Sequence, residues 1–125
     1  MTKPDLEERL INFAVAVIFI AQTMNRNYAG NHLSEQITRS SSSSALNYGE
    51  AKSAESRRDF IHKIKIVLKE LRETHINLKI IYRTNLNPNK EKIEEILKEN
   101  NELISIFVTS IQTARNNLEN KKQKI

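Results

Sequence analysis

The sequence predicts an all-α fold, an antiparallel up-down four-helix bundle, and three observations predict it. The chain has 125 residues, a length that suits one domain better than two. It contains only two Gly and two Pro, too few for the tight turns of a multi-stranded sheet. Its apolar residues recur at spacings of three and four over long stretches, the period of a helix with one buried face. We therefore expect a single domain over residues 1–125, with helices at about 4–24, 31–52, 56–84 and 88–120.

The first helix is expected from Pro4, which suits a first-turn position, with Asp5, Glu7 and Glu8 at the positive end of the helix dipole. Leu6, Leu10, Phe13, Val17, Ile20 and Met24 form a seam. Ile11, Ala14, Val15, Ile18 and Phe19 carry apolar surface around nearly the whole circumference. Three other helices cannot cover such a helix completely, so it is the first hint of self-association. The run Leu10 to Ala21 is preceded by Lys3 and Arg9 against Asp5, Glu7 and Glu8. A signal peptide wants a positive start, and a bilayer-spanning helix needs ~20 apolar residues. The run reads as a buried helix, with no membrane partner.

Asn25 to Asn31, with Gly30, reads as a loop. The stretch after it is ambiguous. Five consecutive serines, Ser40 to Ser44, read either as a flexible linker or as a helix whose small residues admit a close neighbour. Leu33, Ile37, Ser41, Ser44 and Tyr48 keep helical spacing through the serines.

The third helix is the clearest. Ser56 followed by Asp59 resembles a capping box with Asp in place of Glu. Phe60, Ile64, Val67, Leu71, Leu78 and Ile81 give its inner seam, Thr74 fills the gap, and Ile61, Leu68, His75 and Tyr82 widen one side. After a turn at Asn85 to Asn89, Pro88 opens the fourth helix, with Glu91, Glu94 and Glu95 near its start. Its expected inner stripe is Ile93, Leu97, Ile104, Phe107, Ile111, Ala114 and Leu118, and Lys121, Lys122 and Lys124 suit a helix C-terminus.

The net charge of +5 is unevenly placed. Residues 57–84 carry eight basic side chains against three acidic ones, while the segments before and after nearly balance. On the side of the third helix away from its seam, Arg58, His62, Lys65, Lys69, Arg72, Ile76, Lys79 and Arg83 follow alternating steps of 4 and 3. At 1.5 Å rise per residue this stripe is ~37 Å long. Like charges one turn apart cost a few tenths of a kcal/mol per pair, and a polyanionic phosphate chain would offset that cost. The plain alternative is a solvated face that keeps the bundle soluble, neutralised by acids from other helices. No base-reading motif accompanies the stripe, so any binding of RNA or DNA is expected to be largely sequence-independent.

Catalytic chemistry finds little purchase. With no Cys there is no disulfide, thiolate zinc site or cysteine nucleophile. His32, His62 and His75 do not share a helical turn, so no pair of them holds a metal within one helix. His75 reads as a hydrogen-bonded core or interface residue, and Glu70 and Glu73 read as ion-paired. The serine run lacks the Gly-x-Ser-x-Gly context of a nucleophile elbow. We expect no enzyme activity, no cofactor and no metal, and a cytoplasmic protein.

The residues also carry a resemblance. Leu6-Glu7-Glu8-Arg9-Leu10, Arg39 with Ser43, and Asn47-Tyr48-Gly49-Glu50-Ala51 are similar to the four-helix-bundle proteins encoded in intervening sequences of bacterial 23S ribosomal RNA genes. The similarity continues through Ala54 to Lys63, through Lys69-Glu70-Leu71-Arg72-Glu73, and to Phe107-Val108, Ser110-Ile111 and Thr113-Ala114. It implies that the serine run is helix interior and that the protein is a homopentamer. It also implies kinship with the accessory variability protein of diversity-generating retroelements, a basic pentamer that binds nucleic acid and a reverse transcriptase. By that analogy a reverse transcriptase joins RNA or DNA among the expected partners. Two departures stand out. Asn77 precedes Leu78 where the family often has Trp, and the serine run is unusually uniform.

Two sets of residues follow. Arg58, His62, Lys65, Lys69, Arg72, Lys79 and Arg83 are the expected nucleic-acid surface. Arg39, Asn47, Tyr48, Glu50, Glu55, Asp59 and Lys63, around the junction of the second and third helices, are expected to be architectural, capping helix ends and pairing across the junction or between subunits. The leading expectation is an oligomeric nucleic-acid binder, and the alternative is a protein-interaction scaffold.

Overall fold

The structure is a computed structural model and describes residues 5–123. Four helices follow one another: α1 (Leu6–Gln22), α2 (Tyr28–Lys52), α3 (Arg57–Arg83) and α4 (Lys90–Gln123). Each packs on its chain neighbours, and α4 closes back more lightly on α1. Among the described residues the backbones of α1 and α3 do not approach each other, nor do those of α2 and α4. This is the up-down bundle expected from the sequence, with α1 and α3 on opposite corners.

Helix boundaries follow the capping chemistry. The Asp5 carboxylate accepts the Glu8 N–H at 2.8 Å and starts α1. Pro4, expected inside the helix, lies outside the described residues, as does Lys124. The first loop is shorter than the sequence implied. Asn27 caps α2 by accepting the Gly30 N–H at 2.7 Å, so Tyr28 to Asn31 are already helical. Gly30 is required there, because a Cβ would sit 1.9 Å from the Asn25 carbonyl oxygen. Ser56 caps α3 through the Asp59 N–H at 3.1 Å, which is one half of the expected capping box. α4 begins at Lys90 rather than Pro88, after Asn89 accepts the Lys92 N–H at 3.2 Å.

The serine run is continuous helix, and the linker alternative falls. Ser40, Ser41 and Ser44 are fully buried, Ser40 against Thr74 of α3. The Ser40 and Thr74 hydroxyls lie 2.6 Å apart, and Thr74 Oγ1 also donates to the Glu70 carbonyl at 2.9 Å. Ser44 returns its proton to the Ser41 carbonyl at 2.6 Å. Hydroxyls that satisfy one another and their own helix let the α2 backbone approach α3 closely without orphaned polar groups.

The core is the union of the four inner seams, with Leu10, Val17, Ile37, Val67, Leu71, Leu78, Ile81, Ile93, Leu103 and Phe107 wholly inaccessible. The expected α4 stripe needs correction. Leu97 and Ile104 are only partly buried, while Ile96, Asn100 and Leu103 lie in the core. The buried row runs 93, 96, 100, 103, 107. A polar residue at its centre disguised it, and the neighbouring apolar row stood out instead. Asn100 is fully buried, and neither its Oδ1 nor its Nδ2 has a hydrogen-bond partner.

At one end of the bundle the two turns are laced together. Asn85 takes φ 58°, a left-handed conformation that Asn tolerates at a helix end. Asn87 is buried and donates to the Ile20 carbonyl at 3.0 Å and to Thr23 Oγ1 at 2.9 Å. The Asn25 N–H reaches the Leu86 carbonyl at 2.8 Å.

Candidate nucleic-acid interface

The outward side of α3 is the feature with the most chemistry. Arg58, His62, Lys65, Lys69, Arg72, Lys79 and Arg83 are all solvent-exposed. None of them is in an ion pair among the described residues, whose ion-paired cations are Arg9, Arg39, Lys52, Lys63 and Lys92. Of the three acids of α3, Asp59 is exposed at its start and the other two point elsewhere. Glu70 and Glu73 are ion-paired as expected, but their partner is Arg39 of α2, at 3.3 and 3.0 Å. The stripe therefore keeps its charge, apart from Ile76, which stands 59 % exposed in its midst.

His75, on the α4 side of α3, is partly buried near Asn101. Burial and the nearby Lys79 charge lower its pKa, against the polar side chain of Asn101, which favours the charged form. Tyr82 donates to Glu94 at 2.7 Å, which raises the pKa of its phenol, and Lys90 lies 4.7 Å from the centre of its ring. The Tyr82 contacts tie α3 to α4, and the neighbouring Arg72 and Lys79 form no ion pair among the described residues.

The second predicted set is brought together only in part. Arg39 clamps α2 to α3 through Glu70 and Glu73. Lys63 pairs with Glu50 across the same boundary. Asn47 donates to the Ser43 carbonyl at 2.9 Å and to its hydroxyl at 3.0 Å, within α2. Tyr48 reaches across the bundle to Phe107, edge to face, with ring centres 5.6 Å apart. Asp59 contributes its N–H to the Ser56 cap, and Glu55 is exposed. The geometry is that of crosslinks between helices rather than of groups converging on a ligand.

Two features escaped the sequence reading. The Arg9 guanidinium is held by Glu99 and Glu102 and joins α1 to α4, and its pKa is raised chiefly by the hydrogen bond to Glu99. Charge pairs between distant helices leave no mark in spacing. The other is an open groove of about 560 Å³ between the start of α3 and the last third of α4, lined by Arg57, Phe60, Ile106 and small polar residues. Among the described residues no group of three His, Asp or Glu side chains is placed to hold a metal. No described helix is long and apolar enough to cross a membrane.

Comparison with known proteins bears on this arrangement. The family model described as 23S rRNA-intervening sequence protein matches residues 5–109. A crystal structure of a protein of unknown function from the S23 ribosomal protein family, from Bacteroides thetaiotaomicron, is 30 % identical. It superposes with a TM-score of 0.73 over 84 % of this chain and 96 % of that one. No curated protein matches the sequence.

Proposed function

The chain belongs to the 23S rRNA-intervening sequence protein family, and from that premise we propose that it is a cytoplasmic, non-enzymatic homo-oligomer that binds the RNA or DNA backbone through α3. A pentamer is the assembly that the family resemblance implies. The observation that carries the proposal is the row of six cations and His62, all exposed and none neutralised by a carboxylate of the same chain among the described residues. Arg side chains take phosphate in a bidentate grip and Lys as point charges, and each contact releases condensed counterions. Several copies in one particle multiply a weak single contact by avidity.

The test is fluorescence anisotropy of labelled RNA and DNA at several salt concentrations. With about five charges meeting phosphate, log K falls against log salt with a slope of roughly −4 to −5. Arg72→Glu and Lys79→Glu should each flatten the slope by about one unit or more, with little preference among sequences. Salt-independent binding, or none at low salt, overturns the proposal. Ile76 and Ile80, exposed beside the cations, favour a second reading in which α3 docks a protein, a reverse transcriptase being the partner that kinship points to. Salt-insensitive capture of such a partner by the intact protein, without nucleic-acid binding, would replace the first reading.

A further inference from the structure

Of the chain's three tyrosines, two are spent inside the fold. Tyr48 meets Phe107 edge to face, and Tyr82 donates to Glu94. Tyr28, at the start of α2, stands 89 % exposed. One turn on, His32 is exposed as well. Its ring lies parallel to that of Tyr28 within 6°, with the ring centres 6.5 Å apart. Rings left in water add nothing to the core. Exposed aromatic faces aligned in one direction are the kind of surface on which unpaired bases stack.

The surroundings of the pair are polar. Between the end of α1 and the start of α2 lies a notch of about 380 Å³, whose lining includes Gln22, Arg26, Asn31 and Glu35. Asn31 follows Tyr28 by three positions, so the pair and the notch share an edge. Arg26 and Glu35 are exposed, and neither is in an ion pair among the described residues. The fold also brings this corner to the end of the basic stripe. The Asn25 side chain donates to the Asn85 carbonyl at 3.2 Å, tying the first turn to the end of α3. Antiparallel neighbours count in opposite directions from the Ser40–Thr74 contact, which sets Asn31 level with Arg83, the last cation of the stripe. A strand that follows the stripe to its end therefore arrives at the height of the aromatic pair.

We propose that Tyr28 and His32 stack an unpaired base of a single-stranded nucleic acid, with Arg26 taking a phosphate of the same strand. This rests on the nucleic-acid binding proposed above and narrows the ligand to one that has an unpaired base, at a strand end, a loop or a bulge. A blunt duplex offers its phosphates to the stripe but keeps its internal base faces covered by their neighbours. An acidic peptide would satisfy Arg26 and leave the two rings without a flat partner. Glu35 repels phosphate, so the backbone runs on the Arg26 side. Stacking tolerates every base, since each has a π-face, so the preference is for unpaired over paired strands rather than for a sequence.

The test uses the intact protein and fluorescence anisotropy with short single-stranded RNA and DNA and a blunt duplex of the same sequence. Tyr28→Ala should weaken binding of both single strands by about tenfold and leave the duplex nearly unchanged. His32→Ala should act in the same direction. Tyr28→Phe, which keeps the ring, should bind as the wild type does. The salt slope should stay the same in Tyr28→Ala, because stacking releases no counterions, and should flatten by about one unit in Arg26→Gln. A strand carrying a base analogue whose emission is quenched by stacking should darken on the wild type and on Tyr28→Phe but not on Tyr28→Ala. Unchanged single-strand affinity in Tyr28→Ala, or an equal loss for the duplex, overturns the inference and leaves the stripe reading standing. A wild-type protein that binds no nucleic acid overturns both.

Discussion

The bond between the Ser40 and Thr74 hydroxyls gives a measurement of how closely α2 and α3 pack. Both side chains are fully buried, and the oxygens are 2.6 Å apart. Thr74 spends its only proton on the Glu70 carbonyl at 2.9 Å, so Ser40 must be the donor between them. Thr74→Val keeps the shape and removes the acceptor. The Ser40 hydroxyl is then buried without its partner, a loss of about 1–3 kcal/mol. Ser40→Ala is milder. It gives up one hydrogen bond worth about 1 kcal/mol, regains a few tenths through better helix propensity, and leaves Thr74 still bonded to Glu70. The double variant removes both polar groups and should lie within about 1 kcal/mol of the wild type. Urea unfolding of all four proteins at one fixed protein concentration supplies the cycle. A coupling of about 1–2 kcal/mol is expected. Additive effects, or a Thr74→Val variant as stable as the wild type, would mean that the hydroxyls do not meet and that the serine run packs more loosely than described.

Two further substitutions probe the same framework. Asn100→Leu exchanges a fully buried amide that has no hydrogen-bond partner for an apolar side chain with the same number of heavy atoms. It should stabilise the fold by about 1–3 kcal/mol in thermal or urea unfolding, and destabilisation by more than about 1 kcal/mol would show that the amide is satisfied in solution. Gly30→Ala drives a methyl to 1.9 Å from the Asn25 carbonyl. Despite the better helix propensity of Ala, the melting temperature should fall by several degrees, and an increase would show that the loop yields freely.

The fold was legible where one period governs a long stretch. α3 matched within a residue at each end, because its seam and its Ser56 cap point the same way. The serine run was not legible from pattern alone. Helix and linker share its composition, and what decides is a partner on another helix, Thr74, 34 positions away. Resemblance resolved what periodicity left open. The inner row of α4 was misread because Asn100 occupies its centre, and a core position filled by an unpartnered amide contradicts the rule that reading relied on. The candidate interface was legible as a spacing of charges. Its freedom from acids was not, since Arg39 draws Glu70 and Glu73 away from it through a contact between helices.

The position of the stripe has an energetic logic of its own. Seven apolar side chains of α3 are buried, each worth roughly 1.5–3 kcal/mol on burial. Repulsion among exposed cations a turn apart costs only a few tenths of a kcal/mol per pair. The inner seam therefore outweighs the stripe, and the most deeply anchored helix is the one able to hold like charges in a row. The same anchoring keeps the cations at fixed intervals along one line, so little backbone ordering remains to be supplied when a phosphate chain arrives. On α1 the opposite arrangement holds. Its outward row is apolar from Ile11 to Phe19, and its exposed charge is Glu8, near one end. A surface of that kind gains by being covered, and one like α3 gains by staying in water until a polyanion replaces its counterions. Placing the two on opposite corners of the bundle, on helices whose backbones do not approach, allows one to be covered and the other to stay open.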